Sequence, residues 1–393
     1  MRVTEWRIVH VRIPLKKTIR HASHVRNSTD SLIVRCRLDT GQIGWGEGLP
    51  REYVTGEDID AAYALLKDLP KNSPLNSRFA TEFEAIAAAE DWELPRPQSA
   101  KRACFGNSAR CAMELAFLDA VFREVGRPLS DLPGMLNDLP IACEPKPSVR
   151  YSGAITAESS RKQLWQAVKM RLFGFDQVKV KVGVSDIDDQ NSLRKIRRLL
   201  GRKVDVRIDA NEAWRCDEVV RRVNPLTPFG ITAVEQPVPH SEVAGLSSVR
   251  PELSVPIMLD ESLCHAEDGR RAIDEGLCDL FNIRLSKCGG LLPSLRLAAM
   301  AVDAGLGFQL GCQVGETGIL SAAGRHIACA IEPIRYLEGS YDRFLVKESL
   351  IDENLTFGYG GHAARIQRPG LGISFNKAAL NRVMIREWSH DWS

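Results

Sequence analysis

The chain has 393 residues, 44% hydrophobic and 26% charged, an ordinary globular make-up long enough for a barrel and a smaller companion unit. A net charge of +2 gives no electrostatic footprint for nucleic acid, and no apolar run approaches the ~18 residues of a membrane span. The charged start, Met1 to Trp6, does not read as a signal peptide, and the ten cysteines include no Cys-x-x-Cys pair, so buried free thiols in a reducing, cytoplasmic setting are expected.

In chain order, Val3–Ile13 and Ser31–Leu38 alternate as antiparallel strands, and Asp39-Thr-Gly41 turns the chain into a third at Ile43–Gly48. Helical spacing follows at Ile59–Leu66 and Asn107–Val125, with an unpatterned, proline-containing stretch over Glu90–Lys101 between them. From about Val149, short β-rich runs alternate with helical patterns. The runs are Arg150–Gly153, Gln177–Gly183, Asp205–Ala210, Ala233–Gln236, Pro256–Asp260, Leu280–Ser286, Phe308–Cys312 and Arg335–Leu337. Eight runs about 25 residues apart predict a parallel barrel with seven helices between its strands. Ser160–Phe173, Asp188–Leu200, Glu267–Glu275 and Leu292–Ala304 carry the helical period. The tail, with Tyr359-Gly-Gly361 and Arg368-Pro-Gly-Leu-Gly372, reads as turns leading back to the first sheet.

Gln177-Val-Lys-Val-Lys-Val-Gly183 places Val178, Val180 and Val182 on one strand face and Lys179 and Lys181 on the other. An isolated segment of this kind would be a solvated edge strand. Within a βα repeat the lysines point into the barrel, and Lys179 is expected to lower the pKa of Lys181 by like-charge repulsion, making it a usable base. The next three strands end in carboxylates: Asp209 in Asp-Ala-Asn211, Glu235 in Glu-Gln-Pro237 and Asp260 in Asp-Glu-Ser262. Singly, each has a bland reading as a helix cap or loop residue. Together they converge where barrel active sites are built, with no basic partner in their own motifs, and their oxygen-only chemistry selects Mg²⁺ or Mn²⁺ over zinc. Lys287, after the sixth strand, faces Lys181 across the barrel, although strand parity groups it with Ile283 and Leu285, so it must lie beyond the strand or at a bulge.

With Lys179-x-Lys181, Asp209-x-Asn211, Glu235-Gln-Pro237, Asp260-Glu-Ser262, Lys287-x-Gly-Gly, Gly44-Trp-Gly-Glu-Gly48 and Glu114-Leu-Ala-Phe-Leu-Asp119, the chain resembles the muconate-lactonizing (muconate cycloisomerase) subgroup of the enolase superfamily, nearest in pattern to the dipeptide epimerases. Sites of that superfamily pair a Lys or His base with Mg²⁺. The resemblance implies an α+β capping domain over residues 1–140, completed by the tail from about 360 to 393, and a (β/α)₇β modified TIM barrel over 141–359. It implies Mg²⁺ on Asp209, Glu235 and Asp260, Lys181 and Lys287 flanking the α-carbon of a small carboxylate substrate, and a homo-oligomer. Proton loss to an enediolate then serves a racemase or epimerase of an amino-acid derivative or dipeptide. A lyase or cycloisomerase of the muconate, o-succinylbenzoate or acid-dehydratase type uses the same groups, and a non-catalytic homologue would have lost some of them. Asn211, Glu261, Glu316, His24 and Asp342 are expected around the substrate or supporting its ligands. The eighth strand departs from the Asp-x-Asp with which those epimerases hold a substrate amino group, reading Leu337-Glu-Gly-Ser-Tyr-Asp342.

Overall fold

The structure is a computed structural model and describes residues 1–20, 25–69, 73–98, 100, 102–136, 138–156, 159–184 and 187–392. Strands β1 (Val3–Arg20), β2 (Val25–Leu38) and β3 (Ile43–Gly48) pair antiparallel, the last two across the expected turn at Asp39–Gly41. The helix Asn107–Glu124 lies against β3 and is buried along nearly its whole length. Its close approach is set by Gly44, Gly46 and Gly48, alternate residues on one strand face, where any Cβ would collide with the helix backbone at Ala116, Ala112 and Ser108.

Strand β4 (Ser148–Arg150) precedes a run of eight parallel strands: β5 (Gly153–Ile155), β6 (Gln177–Lys181), β7 (Asp205–Asp209), β8 (Ile231–Glu235), β9 (Ile257–Leu259), β10 (Leu280–Ile283), β11 (Gly307–Leu310) and β12 (Tyr336–Leu337). They are hydrogen-bonded in sequence order and the sheet curls round, with Ser152 N–H donating to Leu337 O at 2.8 Å between its first and last strands. A helical segment stands in each of the seven connections, giving the (β/α)₇β order. The first barrel strand starts later than Arg150. Ser148–Arg150 instead pairs antiparallel with β13 (His362–Ala364), because the extended chain there serves the tail before it enters the barrel. Finally β14 (Met384–Asp391) adds to β1, completing a four-stranded sheet in the order β14-β1-β2-β3. The tail also seats Phe375 flat on Trp45, ring centroids 3.5 Å apart, and Leu371 N–H on Asp119.

Two buried glutamates fasten this sheet-and-helix unit to the barrel helices. Glu47, in β3, accepts from Thr317 N–H at 2.9 Å, Thr317 Oγ1 at 2.7 Å and Leu320 N–H at 3.2 Å, at the start of helix Gly318–Ala330. Glu114 accepts from Leu291 and Leu292 N–H at the start of helix Leu291–Asp303. Both satisfy orphan donors at the positive ends of helices. Burial outweighs those bonds and pushes each carboxyl up to about 7. No helix among the described residues is long and apolar enough to cross a membrane.

Candidate active site

Along β6 the two valines are buried toward the helices and the lysines face the barrel axis, as parity requires. Register then lines up the chemistry: Lys181 pairs with Asp209, and Asp209 with Glu235, on three consecutive strands. Asp260 follows the end of β9, and its placement depends on the residue after Glu235. Gln236, at φ +34°, accepts from Asp260 N–H at 2.8 Å and Ser262 N–H at 3.2 Å while its amide donates to Ser262 Oγ and Val238 O. One side chain thus clamps the Asp260-Glu-Ser turn to the neighbouring strand. Asn211, at φ +44°, donates its backbone N–H to Asp209 Oδ1 and so orients that carboxylate.

The three carboxylates are not without basic partners. Lys179 Nζ lies 3.3 Å from Asp209 Oδ2, 3.5 Å from Glu235 Oε1 and 2.9 Å from Glu338 Oε1. Arg284 contacts Asp260 Oδ2 and lies 3.6 Å from Glu235. Lys287 Nζ sits 2.8 Å from Asp260 Oδ1. These cations interleave the acids, and among the described residues no group of three acidic, His or Cys side chains is gathered at metal-ligand spacing. The donor set still fits a hard divalent ion. It is oxygen only, and Glu235 Oε2 is buried without a hydrogen-bond partner. Burial and the neighbouring carboxylate of Asp209 raise the Glu235 carboxyl against the pull of Lys179.

The two lysines assigned to proton transfer differ sharply in surroundings. Lys287 is fully buried four residues past Ile283, which resolves the parity question: it stands on the turn after β10 and reaches back. All three ammonium hydrogens have acceptors, in Asp260 O at 2.7 Å, Asp260 Oδ1 at 2.8 Å and Asn282 O at 2.8 Å. Lys181 is half-buried and makes no ion pair or side-chain hydrogen bond with another described residue. Strands β6 and β10 are four apart in the eight-strand order, so the two lysines belong to opposite sides of the barrel. Lys179 has a different setting from the one expected of it. Burial disfavours its ammonium, but Glu235, Glu338 and Asp209 overrule that and raise its pKa. Its charge is spent on carboxylates, which removes the ground for a like-charge effect on Lys181.

The remaining expected residues scatter. Glu261 is buried beside Asp209 and Glu212, and burial with those two charges pushes its carboxyl up to about 8. Glu316 accepts from Gln313 N–H at 2.6 Å and so closes its own turn without reaching Lys287; burial raises it to about 8. Asp342 is buried with neither carboxylate oxygen hydrogen-bonded, and Arg343 and Arg325 are the cations that act on it. His24 lies outside the described residues. Sequence reasoning missed three charged groups: Arg207, Arg284 and Glu338. Arg207 is fully buried, 2.5 Å from Glu338 Oε1, with Tyr336 beneath its guanidinium. Burial alone would raise Glu338, but Lys179 and Arg207 hold it down at about 2. Parity was the available signal, since Arg207 shares a strand face with Asp209, and Arg284 continues the face of Asn282.

A parallel (β/α)₇β barrel under an antiparallel cap, with acids at consecutive strand ends and lysines on opposite strands, is the architecture of the enolase superfamily. The chain belongs to the enolase C-terminal domain-like family, whose description matches residues 162–379. It is 31% identical over 371 residues to the L-Ala-D/L-Glu epimerase of Clostridium acetobutylicum, covering 93% of this chain and 97% of that one. In fold it matches the N-succinyl Arg/Lys racemase of Bacillus cereus at a TM-score of 0.86 with 23% identity, over 99% of this chain and 100% of the other. It likewise matches the Enterococcus faecalis dipeptide epimerase complexed with Mg and the dipeptide L-Leu-L-Tyr, at 0.80 and 26% identity, covering 95% of this chain and 100% of that one.

Proposed function

We propose that this protein abstracts the proton α to a substrate carboxylate and returns it, as a racemase or epimerase of an amino-acid derivative. The observation that carries the proposal is the placement of Lys181 on β6 and Lys287 on the turn after β10, on opposite sides of the barrel, with Asp209 and Glu235 ending β7 and β8 and Asp260 just past β9. Asp209, Glu235 and Asp260 would hold Mg²⁺ or Mn²⁺. The bound ion would neutralise the charge that builds on the carboxylate as its α-proton leaves. Lys181, with no competing partner among the described residues, takes or gives the proton on one face, and Lys287 serves the other after releasing one of its acceptors. Residues 1–140 with about 360–393 would form the cap over a barrel of 141–359.

Glu338 narrows the substrate. It occupies the strand end where a free substrate ammonium would need an anion, and Lys179 and Arg207 already neutralise it. An amino acid whose nitrogen is acylated fits this site better than a dipeptide with a free amino terminus. Incubation in D₂O with N-acylated amino acids and with free dipeptides, read by mass spectrometry at the α-carbon, tests both points. Exchange is expected in the acylated set. Lys181→Ala should block exchange from one enantiomer and Lys287→Ala from the other.

A second reading follows from Lys287's three filled acceptors. A lysine held in this way could remain a fixed cation while Lys181 alone moves protons, which is the requirement of a cycloisomerase or syn-eliminating lyase. Loss of exchange from both enantiomers in Lys181→Ala, with neither substrate racemised by the wild type, would select it.

A further inference from the structure

Cys104 and Cys264 come from distant parts of the chain and meet at the junction of cap and barrel. Both are fully buried and cluster with Val54. Both thiols address one carbonyl, Val54 O, Cys104 Sγ at 4.0 Å and Cys264 Sγ at 3.9 Å. The two side chains stand close enough for each to act on the other's proton. Arg102 braces the junction, its guanidinium donating to Val54 O at 2.7 Å and to Glu261 O at 2.9 Å. Asn107 completes it, with one amide nitrogen donating to Cys264 O at 2.7 Å and Lys287 O at 2.8 Å. Cys104 therefore belongs to the turn leading into helix Asn107–Glu124, and Cys264 to the turn carrying Asp260 and Glu261.

We propose that Cys104 and Cys264 form a reversible disulfide when the protein meets a peroxide, stapling the cap to the strand end that bears Asp260. Cys104 is the attacking sulfur: the Cys264 side chain and the adjacent Arg102 guanidinium favour the thiolate, although burial opposes it. The thiolate attacks one peroxide oxygen and hydroxide leaves, giving a sulfenic acid on Cys104. The Cys264 sulfur then attacks Cys104, the S–S bond forms, and the sulfenic oxygen departs as water with the Cys264 proton. Two thiols are oxidised by two electrons and one peroxide is reduced to two waters. A thiol reverses the bond by exchange. Peroxide access to this buried pair requires local opening, and the segment to open is Arg51–Gly56, whose Val54 and Thr55 carbonyls lie against the two thiols.

The linkage is independent of the proposed reaction; only its effect on turnover rests on that reading. Full-length protein is treated with hydrogen peroxide, quenched by alkylation and digested without reductant. A peptide pair joining Cys104 to Cys264, lighter by two hydrogens than the two thiol peptides and restored by dithiothreitol, is expected. The oxidised protein should unfold several degrees higher, because the bond closes a long loop of the unfolded chain, and that rise should be absent in Cys104→Ala and Cys264→Ala. Turnover of an exchanging substrate should fall severalfold and recover with dithiothreitol. A bond from Cys264 to the nearby Cys288, or oxidation confined to the half-buried Cys143, Cys216 and Cys312, would overturn the proposal.

Discussion

Replacing Glu47 by Gln and by Ala separates the two opposing contributions at the seam between cap and barrel. The carboxylate is wholly buried and accepts from two backbone N–H groups and one hydroxyl at the start of helix Gly318–Ala330. Leaving those donors unpaired costs roughly 1–3 kcal/mol for each that cannot turn elsewhere, so Glu47→Ala should lose about 3–5 kcal/mol at pH 5.5. Burial raises the folded carboxyl from 4.5 to about 7, a change worth about 3 kcal/mol. The folded state holds that proton more tightly than the unfolded state does. Its contribution is therefore fully present below pH 4.5 and is lost as pH climbs to about 7. Glu47→Gln keeps an acceptor and cannot ionise. Relative to wild type it should gain about 2 kcal/mol between pH 5.5 and pH 8, the part of that change still to be lost above pH 5.5, the remaining glutamates cancelling in the comparison. Guanidinium unfolding at the two pH values, followed by circular dichroism and tryptophan fluorescence together to check for a single transition, measures the difference. A Gln variant that instead loses ground to wild type at pH 8 would show that the helix terminus favours the ionised carboxylate more than burial penalises it, and the reasoning would fail.

Chelation should abolish α-proton exchange and Mg²⁺ or Mn²⁺ restore it, while Asp209→Asn, Glu235→Gln and Asp260→Asn should each weaken Mn²⁺ binding in a calorimetric titration at least about tenfold, or about 1.4 kcal/mol; three unchanged affinities would remove the metal from the proposal. Glu338→Gln should destabilise by about 3–5 kcal/mol, because Arg207 would stay buried without its anion; a variant with wild-type unfolding would show that pair to be dispensable. Gly46→Ala should cost at least about 3 kcal/mol or prevent soluble expression, since the added carbon strikes the backbone at Ala112 and Ala116. Gly134→Ala, with nothing near its Cβ, is the neutral control, and equal losses at both positions would contradict the packing argument.

The barrel was legible because its elements repeat. A strand-and-helix period puts every strand end on one face, so Asp209, Glu235 and Asp260 could be grouped without knowing a distance. Lys181 was legible from parity alone. Elements that break the period were hidden. Helix Gly318–Ala330 is buried almost all round, so it presents no apolar stripe, and the connection around Pro225 and Pro228 contracts into short turns. Helix Glu82–Glu90 has six apolar positions packed so closely in sequence that they mark no face. At the site, what escaped was pairing across the barrel. The distance from Lys179 to Glu338, or from Arg284 to Asp260, depends on closure and on side-chain reach, neither of which a linear pattern carries. The Cys104–Cys264 meeting is hidden for the same reason.

Gln236 carries a lesson for anyone transplanting this chemistry. Its single amide reads two backbone N–H groups on the next strand's turn and fixes where Asp260 stands. The third carboxylate therefore has no address of its own; it inherits one from its neighbour. Grafting the three acids onto another barrel would deliver two of them to their stations and leave the third adrift, unless the amide and its left-handed backbone were carried along with them.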